Sequence, residues 1–550
     1  MPVVPDHRFY YLSNFQQALA WLAERYADLL SEEECAFLQT FAGLPLAARA
    51  LFVRMMMRRG EHFRTSRLDY PEIGCPLQAV QGLPSAWVEQ DAALSLAQVF
   101  ALATKPELVR WFGLRGALRS ARKEDLLAAL AADPAHAEPR PLAHWMTDGQ
   151  GGEQVLSMRV SGLCERLRLM FFGNLRQDWS EFVLADLGTL RYEQIALAPE
   201  ARGFRSRGDI DLYLQLQACK ERYSAGEEAT GILATLPSGS FDNPWLESRR
   251  ERLLFQLGQQ CEKAGDLAQA QQVYSACRYP GARARAIRVL EKQGRFGPAH
   301  VLLKLARQAP ESEAERQQLL RIAPRLARQL GLPPALRPRA AVVPQIDLVL
   351  PPDGSRVERA VQAHLQQAQA PVFYVENALA NTLFGLLCWE AIFAAIPGAF
   401  FHPFQREPAD LLSADFAARR REQLERCLGR LDDGSHRAYI LATYEAKQGL
   451  QSPFVAWGWI TREILVTALD CIPAAHLKLW CLRILEDVRE NRNGFADLVQ
   501  FWPQEGRYRM IEVKGPGDRL QDNQRRWLDY CAQHAMPVAV CYLQWEQAAA

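Results

Sequence analysis

Gly494-Phe495-Ala496-Asp497-Leu498-Val499-Gln500-Phe501-Trp502, then Pro503 to Arg507, then Tyr508-Arg509-Met510-Ile511-Glu512-Val513-Lys514, is the stretch that decides how this chain folds. Two apolar, β-rich runs flank a short polar segment containing Gly506, which predicts a hairpin. Strand side chains alternate between faces, so Met510, Glu512 and Lys514 share one face and set a carboxylate beside an ammonium. Asp497, on the preceding strand, can bring a second carboxylate to the same place. Both acids are embedded among Leu498, Val499, Phe501, Trp502, Met510, Ile511 and Val513. Unpaired charge in such surroundings is costly unless a cation compensates it. The pattern points to a metal-dependent phosphodiesterase; the plainer reading of the same residues is a surface charge cluster.

The chain continues as Gly515-Pro516-Gly517-Asp518-Arg519-Leu520, a helix from about Gln521 to His534 and a final strand from Pro537 to Leu543. A strand hairpin, helix and strand, with Asp and Glu-x-Lys on the central strands, resembles the PD-(D/E)xK nuclease superfamily. The local words Gly-Phe-Ala-Asp-Leu at 494–498, Ile511-Glu512-Val513-Lys514, Gly-Pro-Gly-Asp-Arg-Leu at 515–520 and Gln524-Arg525-Arg526-Trp527-Leu528 resemble its VRR-Nuc branch, and within it the Fanconi-associated nuclease family. Upstream, Glu376-Asn377 through Phe393 is similar to that family's glutamate-bearing helix, and the stretch from Phe404 to Phe416 agrees with it. One departure is Ala496, where the family usually has proline before the catalytic Asp. The proline would stiffen the strand entry but supplies no ligand.

The resemblance implies carboxylate ligands at Glu376, Asp497 and Glu512, with the Val513 carbonyl as a further metal ligand. It implies that Lys514 positions water and stabilises charge, and that Gln524 orients the base or a bound water. Two Mg²⁺ or Mn²⁺ ions per site are the expected cofactors, since hard cations take oxygen ligands. The activity implied is that of a structure-selective 5′-flap endonuclease with 5′-to-3′ exonuclease action, serving interstrand-crosslink repair on branched or flapped double-stranded DNA. Two other readings stand beside it: a dimeric Holliday-junction resolvase, and a non-catalytic DNA-binding helical scaffold.

The 64 basic and 63 acidic residues leave a net charge of +1, so nucleic-acid binding has to come from local basic faces. The 12 cysteines form no C-x-x-C pair or zinc-type spacing and read as buried thiols of a reducing compartment. No apolar run reaches the length of a membrane span and the first residues do not read as a signal peptide, which predicts a cytoplasmic protein; the family resemblance implies a bacterial-type member, nucleoid-associated when on DNA.

The fold expected is multidomain and mainly α: helical N-terminal and TPR-like domains, then an α/β restriction-endonuclease-like nuclease domain. Residues 1–90 read as amphipathic helices, with Ser31 capping the one that begins at Glu32. Arg54 and Arg58 share a helix face and are candidate phosphate contacts. Residues 91–150 hold short helices and a linker, similar to a SAP-like DNA-binding pair, with Arg122 and Lys123 opposing a helix dipole where an anion would relieve them. Residues 151–345 read as helical, Gln154 to Phe172 included. Glu262-Lys263-Ala264-Gly265 with Ala270 recurs as Glu291-Lys292-Gln293-Gly294 with Ala299, a TPR-like repeat of helical hairpins. Prolines between 331 and 352 mark a connection, and the nuclease domain is placed at 346–550. Arg525 and Arg526 are further candidate duplex contacts.

Overall fold

Ser31 acts as the sequence suggests. Ser31 accepts from the Glu34 amide while the Glu34 carboxylate accepts from the Ser31 amide, starting the helix Glu32–Gly43. At the start of Lys105–Trp111 the Thr104 amide and hydroxyl both donate to the Glu107 carboxylate, at 2.7 and 2.8 Å, with Pro106 in the first turn. The computed structural model describes residues 8–146, 153–186, 188–197, 202–333 and 342–546. It divides into two units, Met1–Leu190 and Arg191–Ala550. Among the described residues no single helix is long and apolar enough to cross a membrane.

The first unit is mainly helical, but it carries a small antiparallel sheet that the periodicity did not announce. Strands β1 (His62–Arg64) and β2 (Val88–Gln90) flank β3 (Val155–Met158). The helix expected from Gln154 therefore begins only at Ser161 and runs to Phe172. All four β3 residues are buried, and a short run buried on both faces shows neither helical nor strand periodicity. The short helices from Leu96 to Ala131 close their own core around Trp111 and Trp145. Residues 147–152, the end of the expected linker, lie outside the described residues.

An ion cluster ties these parts of the first unit together. Arg64, at the end of β1, pairs with Glu107 at 2.7 Å and with Glu153 beside β3, and all three side chains are largely buried. Burial alone would raise the Glu107 carboxyl, but hydrogen bonds from Thr104 and Arg64 bring it down to about 2.

The second unit opens with paired helices. Pro244–Ala264 and Leu267–Ala276 are followed by Ala282–Lys292 and Phe296–Gln308, then by Glu313–Gln329. The repeated words have a physical meaning here. Gly265 and Gly294 turn the chain with φ of +87° and +72°, a conformation that suits glycine. Ala270 and Ala299 are fully buried where successive helices meet. Each repeated glutamate receives a cation from the helix after next: Glu262 takes Lys292 at 2.8 Å, and Glu291 takes Arg325 at 2.9 Å.

A five-stranded sheet follows, ordered β4-β8-β7-β6-β5: β4 Gln345–Leu350, β5 Val372–Tyr374, β6 Leu498–Trp502, β7 Arg507–Lys514 and β8 Val538–Trp545. The β6–β7 hairpin is antiparallel, and β8 lies parallel between β7 and β4. The turn is Pro503–Glu505 plus Gly506 at φ +58°. One sheet face, with Val499, Phe501, Met510 and Val540, joins the largest core, built on Ala378–Leu387 and Ala474–Glu486. The other, with Leu498, Ile511, Val513 and Cys541, is covered by Val357–Leu365. Helices His436–Lys447 and Arg462–Cys471 complete the large core.

Replacing Arg64 with alanine leaves Glu107 and Glu153 buried without their shared partner, and is expected to destabilise the protein by roughly 3–5 kcal/mol at pH 7. A carboxylate held below its ordinary value of 4.5 adds stability above that pH and loses it as pH falls towards 2. The penalty of Arg64→Ala is therefore full at pH 7 and shrinks below about pH 4.5, a trend that denaturant unfolding at pH 7 and pH 3 measures.

Candidate active site

The β6–β7 register pairs Leu498 with Ile511, which sets Asp497 directly across from Glu512. Glu512 is 1% exposed and Lys514 8%. Two acids opposite one another in a ladder repel, and several contacts hold them there. Asp497 Oδ2 accepts the Val513 amide at 2.8 Å. The Asp497 carbonyl accepts both the Val375 amide at 2.9 Å and the Glu376 amide at 3.0 Å. This double bond ties the end of β5 to the start of β6 and brings Glu376 beside Asp497.

Glu376 does not sit on the helix it precedes. It lies in the connection after β5 with φ +38°, and the helix starts at Ala378. A non-glycine residue rarely holds such a backbone conformation without surrounding structure to impose it. The imposing neighbours are the Asp497 carbonyl and Tyr374, whose hydroxyl donates to the Glu376 carboxylate. Tyr374 is itself held by Trp459, whose Nε1 donates to the Tyr374 carbonyl at 2.9 Å, and by Arg359 over its ring.

Next door, the Asn377 side-chain oxygen accepts the amides of Gly494 and Phe495 at 2.8 and 3.0 Å. Phe495 lies against Trp527 with ring centroids 3.8 Å apart. Gly494, at φ +97°, approaches Asn523 so closely that a Cβ would stand 2.8 Å from its carbonyl carbon. These contacts fix the entry to β6 where Ala496 stands, and they anchor it to the helix Asp522–Gln533.

Burial raises the Glu512 carboxyl to about 8, with Asp497 across the ladder adding to the rise against the pull of Lys514. Burial likewise raises Asp497 to about 6, with Glu358 and Glu376 contributing. Lys514 Nζ lies 2.8 Å from Glu512 Oε1, yet that oxygen has no well-directed hydrogen-bond partner. One ammonium thus faces a concentration of carboxylates. Among the described residues no three His, Cys, Asp or Glu side chains already converge as a ligand cage. The donor set nevertheless fits a hard divalent cation, because it is all oxygen, partly orphaned and short of positive charge.

The sequence-predicted residues divide accordingly. Asp497, Glu512, Val513, Lys514 and Glu376 come together. Gln524 opens the following helix, where its side-chain oxygen accepts the Gln521 amide at 2.8 Å. Arg525 is exposed and bonds the Leu520 carbonyl, whereas Arg526 is held by Gln317 and Glu490, each at 3.0 Å. In the first unit Arg54 is engaged by Glu72 at 2.6 Å and lies over the Tyr11 and Tyr70 rings. Arg58 bonds the Arg67 carbonyl, and Lys123 the Ala103 carbonyl at 2.8 Å, while Arg122 is exposed.

Sequence reasoning missed Glu358 and Asn377. Glu358 lies in the first turn of Val357–Leu365, where an acid reads as an ordinary helix-end residue. Asn377 precedes a helix, a common capping position, and nothing local reveals that its amide reaches a strand 117 residues away.

Three family models match the chain: the VRR-NUC domain over residues 431–545, the FAN1 HTH domain over 9–89, and the Fanconi anemia-associated nuclease SAP domain over 93–145. The chain is 54% identical to the Fanconi-associated nuclease 1 homolog of Pseudomonas aeruginosa, over 99% of this chain and 97% of that one. Human Fanconi-associated nuclease 1 is 33% identical over 30% of this chain and 17% of its own length. A crystal structure of paFAN1 bound to 2nt 5′ flap DNA with gap superposes with a TM-score of 0.94 at 53% identity, covering 100% of both chains.

Replacing Asn377 with alanine strands two backbone amides and is expected to cost about 1–3 kcal/mol. Hydrogen exchange should report it as faster exchange at Gly494 and Phe495, with the ladder amides of β7 still protected.

Proposed function

This chain belongs to the Fanconi-associated nuclease family, whose VRR-NUC domain marks a DNA-cleaving phosphodiesterase, and on that premise we propose that it is a structure-selective 5′-flap endonuclease with 5′-to-3′ exonuclease action, serving interstrand-crosslink repair. One observation carries the reading: the half-buried Asp497 stands across one ladder from the buried Glu512, with the Lys514 ammonium 2.8 Å from Glu512 on the same face. The flapped-DNA substrate is supported by the paFAN1 structures, whose titles name 5′ flap DNA.

In this reading Asp497, Glu512, Glu376 and the Val513 carbonyl hold Mg²⁺ or Mn²⁺, as two ions. Bound there, the metal supplies a polarised phosphoryl oxygen and a water of lowered pKa. The residues supply the rest. Glu512 and Asp497 are preorganised by the ladder, so little reorganisation is needed when substrate arrives. Lys514, held beside Glu512, offsets the charge that develops on the phosphoryl oxygens. The Gln524 oxygen is occupied by the Gln521 amide, which leaves its NH₂ group to orient a base or a water. Contacts to phosphate are assigned to the exposed Arg58, Arg122 and Arg525 and to Lys123, which follows Arg122 in the chain. Arg54 and Arg526, paired with Glu72 and Glu490, are assigned to holding the surrounding structure rather than to direct phosphate contact.

Glu512→Ala should abolish cleavage of end-labelled 5′-flap DNA in Mg²⁺, and Lys514→Ala should slow it by about 10²–10³-fold. Mn²⁺ should replace Mg²⁺, while Ca²⁺ should support binding with little turnover. Side-by-side digestion of 5′-flap, 3′-flap and four-way substrates tests the specificity. Preferred cutting of the four-way junction would favour a resolvase, and Mg²⁺-dependent cleavage by a clean Glu512→Ala preparation would remove the site assignment.

A further inference from the structure

Residues 282–329 hold eleven Arg and Lys against four Asp and Glu, in a chain whose totals are 64 and 63. The near-neutral whole therefore conceals one strongly basic segment, and its geometry shows where the charge lies. On Ala282–Lys292, the side chains of Arg285, Arg288 and Lys292 all reach the single buried carboxylate of Glu262, at 3.3, 3.3 and 2.8 Å. One acid cannot neutralise three cations, and all three remain partly exposed, Arg288 at 57%. On Glu313–Gln329, Arg321, Arg325 and Arg328 fall at i, i+4 and i+7 and are exposed along one face. Arg325 pairs with Glu291 on the first of these helices, and Arg321 pairs with Asp522 on the helix that carries Gln524 and Arg525. Arg328 makes no ion pair among the described residues.

Resting on the nuclease reading above, we infer that this run, from the cations around Glu262 through Arg325 and Arg321 to the first turn of Asp522–Gln533, is a track for the sugar–phosphate backbone of one duplex arm of the substrate. Three features fit that partner. The cations stand on rigid helices, and the acids among them hold guanidinium groups in place without cancelling them. The run also ends at Asp522, two residues before Gln524 on the helix that packs on the entry to β6, where a backbone must arrive to be cut. Such contacts position a duplex without reading its sequence, as a structure-selective enzyme needs.

The test uses full-length protein, fluorescent 5′-flap DNA and the variants Arg288→Gln, Arg328→Gln and the double change, all exposed sites chosen so that no buried acid loses its last partner. The logarithm of affinity plotted against that of salt should lose about 0.9 in slope for each phosphate contact removed. The double variant should therefore fall by nearly two, with weaker binding at fixed salt and an unchanged Tm. Arg328→Lys should keep the wild-type slope. Shortening the duplex arm that lies on the track should erase the difference between wild type and double variant. A double variant with wild-type Tm, slope and affinity would overturn the track and leave the nuclease reading standing. Wild-type protein that bound no flap DNA would take down both.

Discussion

Burying Glu512 across from the half-buried Asp497 sets two carboxyl groups on neighbouring strands where they cannot both ionise without cost. Desolvation of a carboxylate costs several kcal/mol in a protein interior, and mutual repulsion adds to it. The sheet does not remove this cost; it makes escape from it impossible. To separate, the acids would have to break the ladder between β6 and β7, release the Val513 amide and free the two amides on the Asp497 carbonyl. The apolar packing on both faces of the hairpin opposes each of those moves. Stability made by Phe501, Ile511, Val513 and their neighbours is thus spent holding a site whose electrostatics favour a bound cation.

The clamp around Ala496 bears on the same point. A proline before Asp497 would restrict the strand entry through its own ring. Here restriction comes from outside the strand: Asn377 takes two amides, Gly494 rests on Asn523, and Phe495 packs on Trp527. A rigid entry needs no cyclic side chain when the neighbouring elements supply its boundary conditions. The helical repeats follow a related rule. Glu262 and Glu291 each hold cations from the helix after next, so each repeat is incomplete without its successor, as in other solenoid arrays.

Legibility in the sequence followed the range of the interaction. The hairpin, its Gly506 turn and the face of β7 shared by Met510, Glu512 and Lys514 could be read because period-two alternation and turn chemistry are local. The repeat could be read because Gly265 and Gly294 mark helix ends. Glu376 could be matched by family resemblance, but its place in a strained turn could not, since the strain is imposed by Asp497 from far along the chain. β3 was hidden by burial on both faces, and β5 by being only three residues long. The arginines were hardest. Arg54 and Arg526 look like free cations in sequence, and only tertiary structure supplies Glu72 and Glu490.

The position of β8 has one further consequence. It is the last strand in the chain, yet it lies between β7 and β4, parallel to both. β4, made some two hundred residues earlier, has no neighbour in this sheet until β8 arrives. Pairing at such separation is slow, because loop closure must be accomplished before any contact rewards it. During synthesis the helical array can order itself from near-neighbour contacts while the carboxylates still belong to an unfinished sheet. The outer edge of β7 is therefore covered, and β4 joined to the sheet, only once β8 has been made.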